Sequence, residues 1–138
     1  MTKTRIAIAG AGYIGQAHMA VASASASVML SALVDPSPAA AALAAEAGVP
    51  LYQSLEELLA RDRPDGLILA TPNPLHVPQA LQCIDAKLPI LLEKPIATNV
   101  AEGAQLVQRI KETGARVLIG HHRAHSPIMA KACAVIAS

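Results

Sequence analysis

Two features of the first third of the chain have residue types and spacing that could do chemistry: a glycine-rich turn and a single aspartate. Gly10-Ala11-Gly12-Tyr13-Ile14-Gly15 sets three glycines in the spacing Gly-x-Gly-x-x-Gly. The turn follows a short apolar run and opens a helix-like segment, and Asp35 comes 20 residues after Gly15. In that context each residue has a task. Gly10 permits a tight turn, Gly12 lets a pyrophosphate approach the backbone, and Gly15 lets the helix pack close to the strand. The N–H groups near Tyr13 and Ile14, at the helix start, are placed to bind the pyrophosphate, and the helix dipole adds about 0.3–1 kcal/mol per interaction. Asp35 would accept hydrogen bonds from the two hydroxyls of an adenosine ribose and repel a 2′-phosphate. The residues after it, Pro36-Ser37-Pro38, include no Arg or Lys. The cofactor expected is therefore NAD in preference to NADP.

These residues need a strand–turn–helix frame, and the chain supplies one from end to end. Strands are expected at 4–9, 28–34, 66–70, 89–92 and 116–119. They are apolar throughout rather than alternating, as in parallel sheets covered on both faces. Helices are expected between them. The first runs from Tyr13 to about Ala26, and the second, Pro38 to Ala47, has Gly48 just past its end. Ser54-Leu55-Glu56-Glu57 has the spacing of a capping box and opens a short helix to about Ala60. Asn73-Pro74 reads as cap and first-turn proline of a helix to about Ala86. Asn99 opens another helix, which ends near Gly114, and Ser126-Pro127 opens a last one still running at Ser138. Strand–helix alternation implies right-handed crossovers. The fold expected is α/β: a doubly wound parallel Rossmann sheet in the order 3-2-1-4-5, with helices on both faces.

Composition narrows the class further. The 138 residues carry a net charge of +1 and are 53% hydrophobic, with two tyrosines and no Phe or Trp. That length suits one domain with an aliphatic core. A charge near zero argues against nucleic acid as a partner and against a polybasic membrane surface. No apolar run approaches the roughly 20 residues of a spanning helix, and the N-terminus lacks the pattern of a signal peptide. A cytoplasmic protein is expected, with Cys83 and Cys133 as buried free thiols.

Three later segments fall beyond strand ends, where open parallel sheets bind ligands: Thr71-Pro72-Asn73-Pro74-Leu75-His76, Glu93-Lys94-Pro95, and Gly120 to Pro127. His121, His122 and His125 have no local carboxylate or Cys, so a metal site is not expected. Together with the glycine turn, Ala70 to His76, Glu93-Lys94-Pro95 and Gly120-His121-His122-Arg123 make four motifs in order. In this the sequence resembles the N-terminal half of the Gfo/Idh/MocA oxidoreductases.

The resemblance implies an NAD(P)-dependent enzyme that moves a hydride between its cofactor and a sugar, polyol or related hydroxy compound. It places Thr71, Pro72 and Asn73 along the ribose and nicotinamide side of the cofactor, with His76 near the same half. Glu93 and Lys94 would reach the nicotinamide ribose and the reacting hydroxyl, and His122 and Arg123 would face the cleft. In relatives the bond corresponding to Lys94-Pro95 is often cis. Lys94 would be the catalytic residue of this half, its cation stabilising developing alkoxide charge and sharing the hydroxyl proton.

Relatives run beyond 300 residues. Their second domain supplies most of the substrate pocket, an aspartate and a histidine base, and the contacts through which they form homo-oligomers. The expectation is one dinucleotide-binding domain over residues 1–138, without the substrate domain and inactive alone. Two other classes remain. A non-catalytic NAD-binding or redox-sensing module has no need of Lys94, and a methyltransferase with a related glycine turn does not fit the two later motifs.

Overall fold

A computed structural model describes residues 2–122 and 126–137. In chain order the elements are β1 (Thr4–Ala9), α1 (Tyr13–Ala24), β2 (Val28–Val34), α2 (Pro38–Ala47), β3 (Leu51–Tyr52) and α3 (Leu55–Arg61). Then come β4 (Gly66–Leu69), a 3-10 turn (Asn73–Leu75), α4 (His76–Asp85), β5 (Ile90–Leu92), α5 (Val100–Thr113), β6 (Val117–Ile119) and α6 (Pro127–Ile136). The six strands form one sheet in the order β3-β2-β1-β4-β5-β6, and every pairing is parallel. This is the expected doubly wound arrangement, 3-2-1-4-5, extended by one strand. The third place belongs to Leu51–Tyr52, two residues that the apolar pattern does not single out, so Gly66–Leu69 is fourth.

The sheet separates two apolar layers. On one face Ile8, Leu30 and Leu33 meet Ala22 of α1 and Ala44 of α2. On the other, Ala7, Ala9, Leu67, Leu69 and Leu92 pack against α3, α4 and α5, including the fully buried Leu58 and Leu106. Burying each such leucine is worth about 1.5–3 kcal/mol over leaving it exposed. In β2 the register slips, Ile6 pairing with Leu30 and Ala7 with Ala32. Ser31 is the extra residue, and this bulge lets Leu30 and Leu33 point to the same face.

Helix ends follow local chemistry. Ser54, Asn99 and Ser126 each accept a hydrogen bond from a first-turn N–H of the helix they open. Gly48 and Gly114 close α2 and α5 in the left-handed conformation. Asn73 does not cap: it lies in the 3-10 turn, and α4 begins at His76. The reason is Pro78. In a helix begun at Pro74, Pro78 would clash with the carbonyl four residues back, whereas in a helix begun at His76 it lies harmlessly in the first turn. Two other boundaries are shorter than expected, α1 ending at Ala24 and α6 at Ile136.

The thiols also part ways. Cys83 is buried, and burial pushes its thiol up to about 12. Cys133 is exposed on α6, contrary to the expectation of two buried thiols. Among the described residues no helix is long and apolar enough to cross a membrane.

At the amino ends of the strands, Arg5 binds a loop shut. Its guanidinium donates to both oxygens of Asp62 at 2.7 Å, and its backbone N–H donates to Asp65 at 2.8 Å. The hydrogen bonds from Arg5 hold the Asp62 carboxyl below its ordinary value.

Candidate functional site

The chain moves outward from β1 through β2, then returns to the centre and moves the other way through β4, β5 and β6. Loops after β1 and β4 therefore diverge and leave a crevice at the carboxyl ends of the strands. The strands β1, β2, β4, β5 and β6 all end there, so the described residues that follow them start from that edge.

The glycine turn is built as its spacing requires. Gly10 has φ +91° and donates its N–H to the Val34 carbonyl at 2.9 Å. A Cβ on it would lie 2.4 Å from the carbonyl oxygen of Ala70, so β1, β2 and β4 meet at a point that admits only glycine. At Gly15 a Cβ would lie 1.8 Å from the Gly10 carbonyl oxygen, which is how α1 approaches the turn so closely. Gly12 is different. It is the N-cap of α1, and a Cβ there would meet nothing within 4 Å. That open space lies at the start of α1, where the first-turn N–H groups have no intrahelical partners. It fits the pyrophosphate of a dinucleotide. Tyr13 and Ile14, which follow it, are both exposed.

Asp35 is tied to this turn. One carboxylate oxygen accepts from the Ala11 N–H and the other from the Ser37 N–H, both at 2.8 Å. Burial alone would push the Asp35 carboxyl up, but hydrogen bonds from Ala11 and Ser37 outweigh it and hold it below its ordinary value. Each oxygen has a further lone pair, and a cleft of about 570 Å³ opens beside them. Pro36, Leu55, Pro72, Leu75 and Gln79 are among its walls. The cleft suits a flat, partly apolar group attached to a diol.

Across the crevice, Thr71 closes the end of β4 and donates its hydroxyl to the Gln79 amide oxygen at 2.7 Å. Pro72 and Asn73 are exposed beyond it. His76 is not at the surface of this turn. It is 1% exposed, with one ring nitrogen 2.7 Å from the Pro95 carbonyl and the other 2.8 Å from the Thr71 carbonyl. It lies beneath the turn, so the expectation that it lines a cofactor gives way to one of support.

Glu93 is likewise turned inward. His18 of α1 donates to its carboxylate at 2.9 Å, and a Cβ on Gly120 would strike that carboxylate at 2.7 Å. Its neighbour Lys94 is exposed, its side chain having no partner among the described residues, and the Lys94-Pro95 bond is cis. The adjacent pair thus differs: Glu93 anchors the strand end through His18, and Lys94 stands exposed just past β5. His122 is exposed after β6, and Arg123 lies outside the described residues.

Sequence reasoning missed His18 and Gln79. For His18 a signal exists: it is three residues after Gly15, on the helix face that Gly15 brings against the sheet.

The chain matches a known family model. The model, described as an oxidoreductase family with an NAD-binding Rossmann fold, covers residues 4–121. The chain belongs to the Gfo/Idh/MocA family. It carries that family's NAD-binding Rossmann domain. Among curated members, 4-carboxy-2-hydroxymuconate-6-semialdehyde dehydrogenase from a Sphingobium species is 34% identical over 125 residues, which is 89% of this chain and 40% of that protein. Inositol 2-dehydrogenase from Mycolicibacterium smegmatis is 32% identical, over 92% of this chain and 38% of that protein. Among solved structures, the WlbA dehydrogenase from Bordetella pertussis, in complex with NADH and UDP-GlcNAcA, superposes with a TM-score of 0.80 at 32% identity. That match covers 86% of this chain and 37% of the other. The chain spans about 40% of the length of the relatives it matches.

Proposed function

We propose that this chain is the cofactor-holding half of an NAD-dependent dehydrogenase acting on a sugar, polyol or related hydroxy compound. The observation that carries the reading is the open start of α1 beside Asp35, whose carboxylate is tied to the glycine turn through the Ala11 N–H. The relatives named for inositol and crystallised with a UDP-sugar support the substrate class.

In this reading the N–H groups of Tyr13 and Ile14 hold the pyrophosphate above Gly12. Asp35 accepts from the adenosine ribose diol, and Thr71, Pro72 and Asn73 line the nicotinamide side. When bound, the nicotinamide supplies the hydride acceptor or donor. Lys94 holds the substrate oxygen. As the carbinol loses hydride and its hydroxyl loses a proton, the ammonium stabilises the charge developing on that oxygen. Glu93 keeps its place through His18 and so fixes the backbone from which Lys94 projects. His122 and Arg123 flank the same end. A second domain, beyond these 138 residues, supplies the substrate pocket, a proton acceptor and the closure that excludes water and strengthens these electrostatics. It is also where the complete enzyme forms a homo-oligomer. The location is cytoplasmic, in keeping with free thiols.

A non-catalytic NAD sensor is the second reading. It leaves unexplained an exposed lysine beside an anchored glutamate at the hydride end. Titrating this chain with NAD and NADP tests the cofactor assignment: NAD should bind more tightly, and Asp35→Ala should weaken NAD selectively. Tighter NADP binding would overturn it. In the complete enzyme, Lys94→Ala should lose turnover by orders of magnitude while still binding NAD, and near-normal turnover would favour the sensor.

A further inference from the structure

We propose that His76 is a positioning residue, a buried clamp that sets the distance between the cofactor-lining turn and the lysine turn. The inference rests on the dinucleotide reading above and deepens it. Thr71 begins the loop after β4, and Pro95 follows Lys94 in the loop after β5. Their carbonyls lie past the end of the β4–β5 ladder, whose last register pair is Leu69 with Leu92. Carbonyls left unpaired at the end of a ladder take other donors. One imidazole meets both, at 2.8 Å to Thr71 and 2.7 Å to Pro95. Among the described residues no other hydrogen bond joins these two loops.

The ring is at the first position of α4, where the fold fixes its backbone. Val77, Ala80, Cys83 and Ile84 of the same helix are buried against the sheet. A shift of α4 would therefore move both loops together, while loss of the ring would let them move apart. Lys94 is held from the other side by the His18–Glu93 hydrogen bond. The two histidines thus bracket the lysine turn, one through a side chain and one through a backbone carbonyl. Neither needs to touch a ligand to act.

The geometry also separates the two links. Both partners of the ring are carbonyl acceptors, so each link needs an N–H on the ring nitrogen that faces it, and a ring with a single N–H serves one link at a time. An amide on a short side chain, in His76→Asn, puts a donor near the Nδ1 position and can serve Pro95. The longer amide in His76→Gln puts one near Nε2 and can serve Thr71.

The test compares two ligands on this chain. ADP carries the adenosine and pyrophosphate, which bind at Asp35 and the start of α1. NAD adds the ribose and ring that reach toward the lysine turn, whereas the Thr71 turn borders the Asp35 cleft and meets both ligands. For His76→Ala, NAD affinity should fall about tenfold, one hydrogen bond's worth of binding, and ADP affinity by clearly less. His76→Gln and His76→Asn, which keep bulk and one donor, should lose less NAD affinity, again with a smaller effect on ADP; they serve if the alanine variant does not fold. Parallel loss of ADP and NAD in the amide variants would mean a merely structural role and overturn the proposal. So would wild-type affinity for both ligands in every variant. If the wild-type chain binds neither, the dinucleotide reading itself fails and this inference falls with it.

Discussion

Replacing Gly12 with alanine should separate cofactor binding from folding. The new methyl group meets no heavy atom within 4 Å. Gly12 holds φ −71° and ψ −168°, a conformation open to any residue. Restricting the unfolded chain stabilises by about 0.4–1 kcal/mol. Alanine is a poorer N-cap than glycine, and that costs about as much again. The two effects offset, so the midpoint of thermal unfolding should move by less than about 5 °C. Binding is another matter. The methyl stands where the pyrophosphate must descend to reach the first-turn N–H groups of α1. Each charge-assisted hydrogen bond lost there is worth about 1.5–3 kcal/mol, an affinity drop of about 10- to 150-fold. Gly15→Ala gives the contrast. Its Cβ would sit 1.8 Å from the Gly10 carbonyl oxygen, so the strand–helix junction must spread. A cost on the order of 3 kcal/mol or more is expected, a large part of a small domain's stability. Calorimetric titration with NAD and thermal melts on the three proteins decide the matter. A Gly12→Ala chain that binds NAD as tightly as wild type refutes the placement of the phosphate. One that melts far below wild type refutes the open space.

Two further outcomes are expected. The Asp35 carboxyl is held below its ordinary value in the folded chain, so its stabilising effect is full above the unfolded value of about 3.9 and disappears as pH falls through the folded one. Denaturant titrations from pH 6 down to pH 2 should show a shallower acid loss for Asp35→Asn than for wild type, and identical acid limbs would contradict this. A thiol reagent at pH 8 should modify Cys133 promptly and Cys83 only on unfolding. With its thiol near 12, roughly one Cys83 in 10,000 is thiolate at that pH; two thiols reacting at one rate in the native chain would contradict the burial.

The pattern of strands and the glycine turn were legible because both have steep physical requirements. Apolar runs of four to seven residues ending in Gly, Asp or Pro admit few structures, and a backbone at φ +91° packed on Ala70 admits one residue type. Leu51–Tyr52 escaped because two residues carry no periodicity; its place comes from pairing with Leu33 and Val34. The start of α4 was readable in principle from Pro78 but was masked by the cap-like Asn73-Pro74. Side-chain direction was the least legible. Adjacent Glu93 and Lys94 look alike as candidates, yet only the fold shows one turned to His18 and the other left exposed. Likewise nothing in the spacing of His76 says that its ring lies under the turn. The exposure of Cys133 follows from how α6 is placed, which its own sequence does not state.

The Arg5 latch has a consequence for how this protein can change. Arg5 and Gly10 are five residues apart on an extended strand, about 16 Å. Substitutions that far apart with no shared partner add independently. The rim at Arg5, Asp62 and Asp65 can therefore gain or lose stability without disturbing the crevice, and the crevice can accept costly residues such as the half-buried Glu93 while the far rim compensates. The two poles of the sheet are free to evolve on separate schedules.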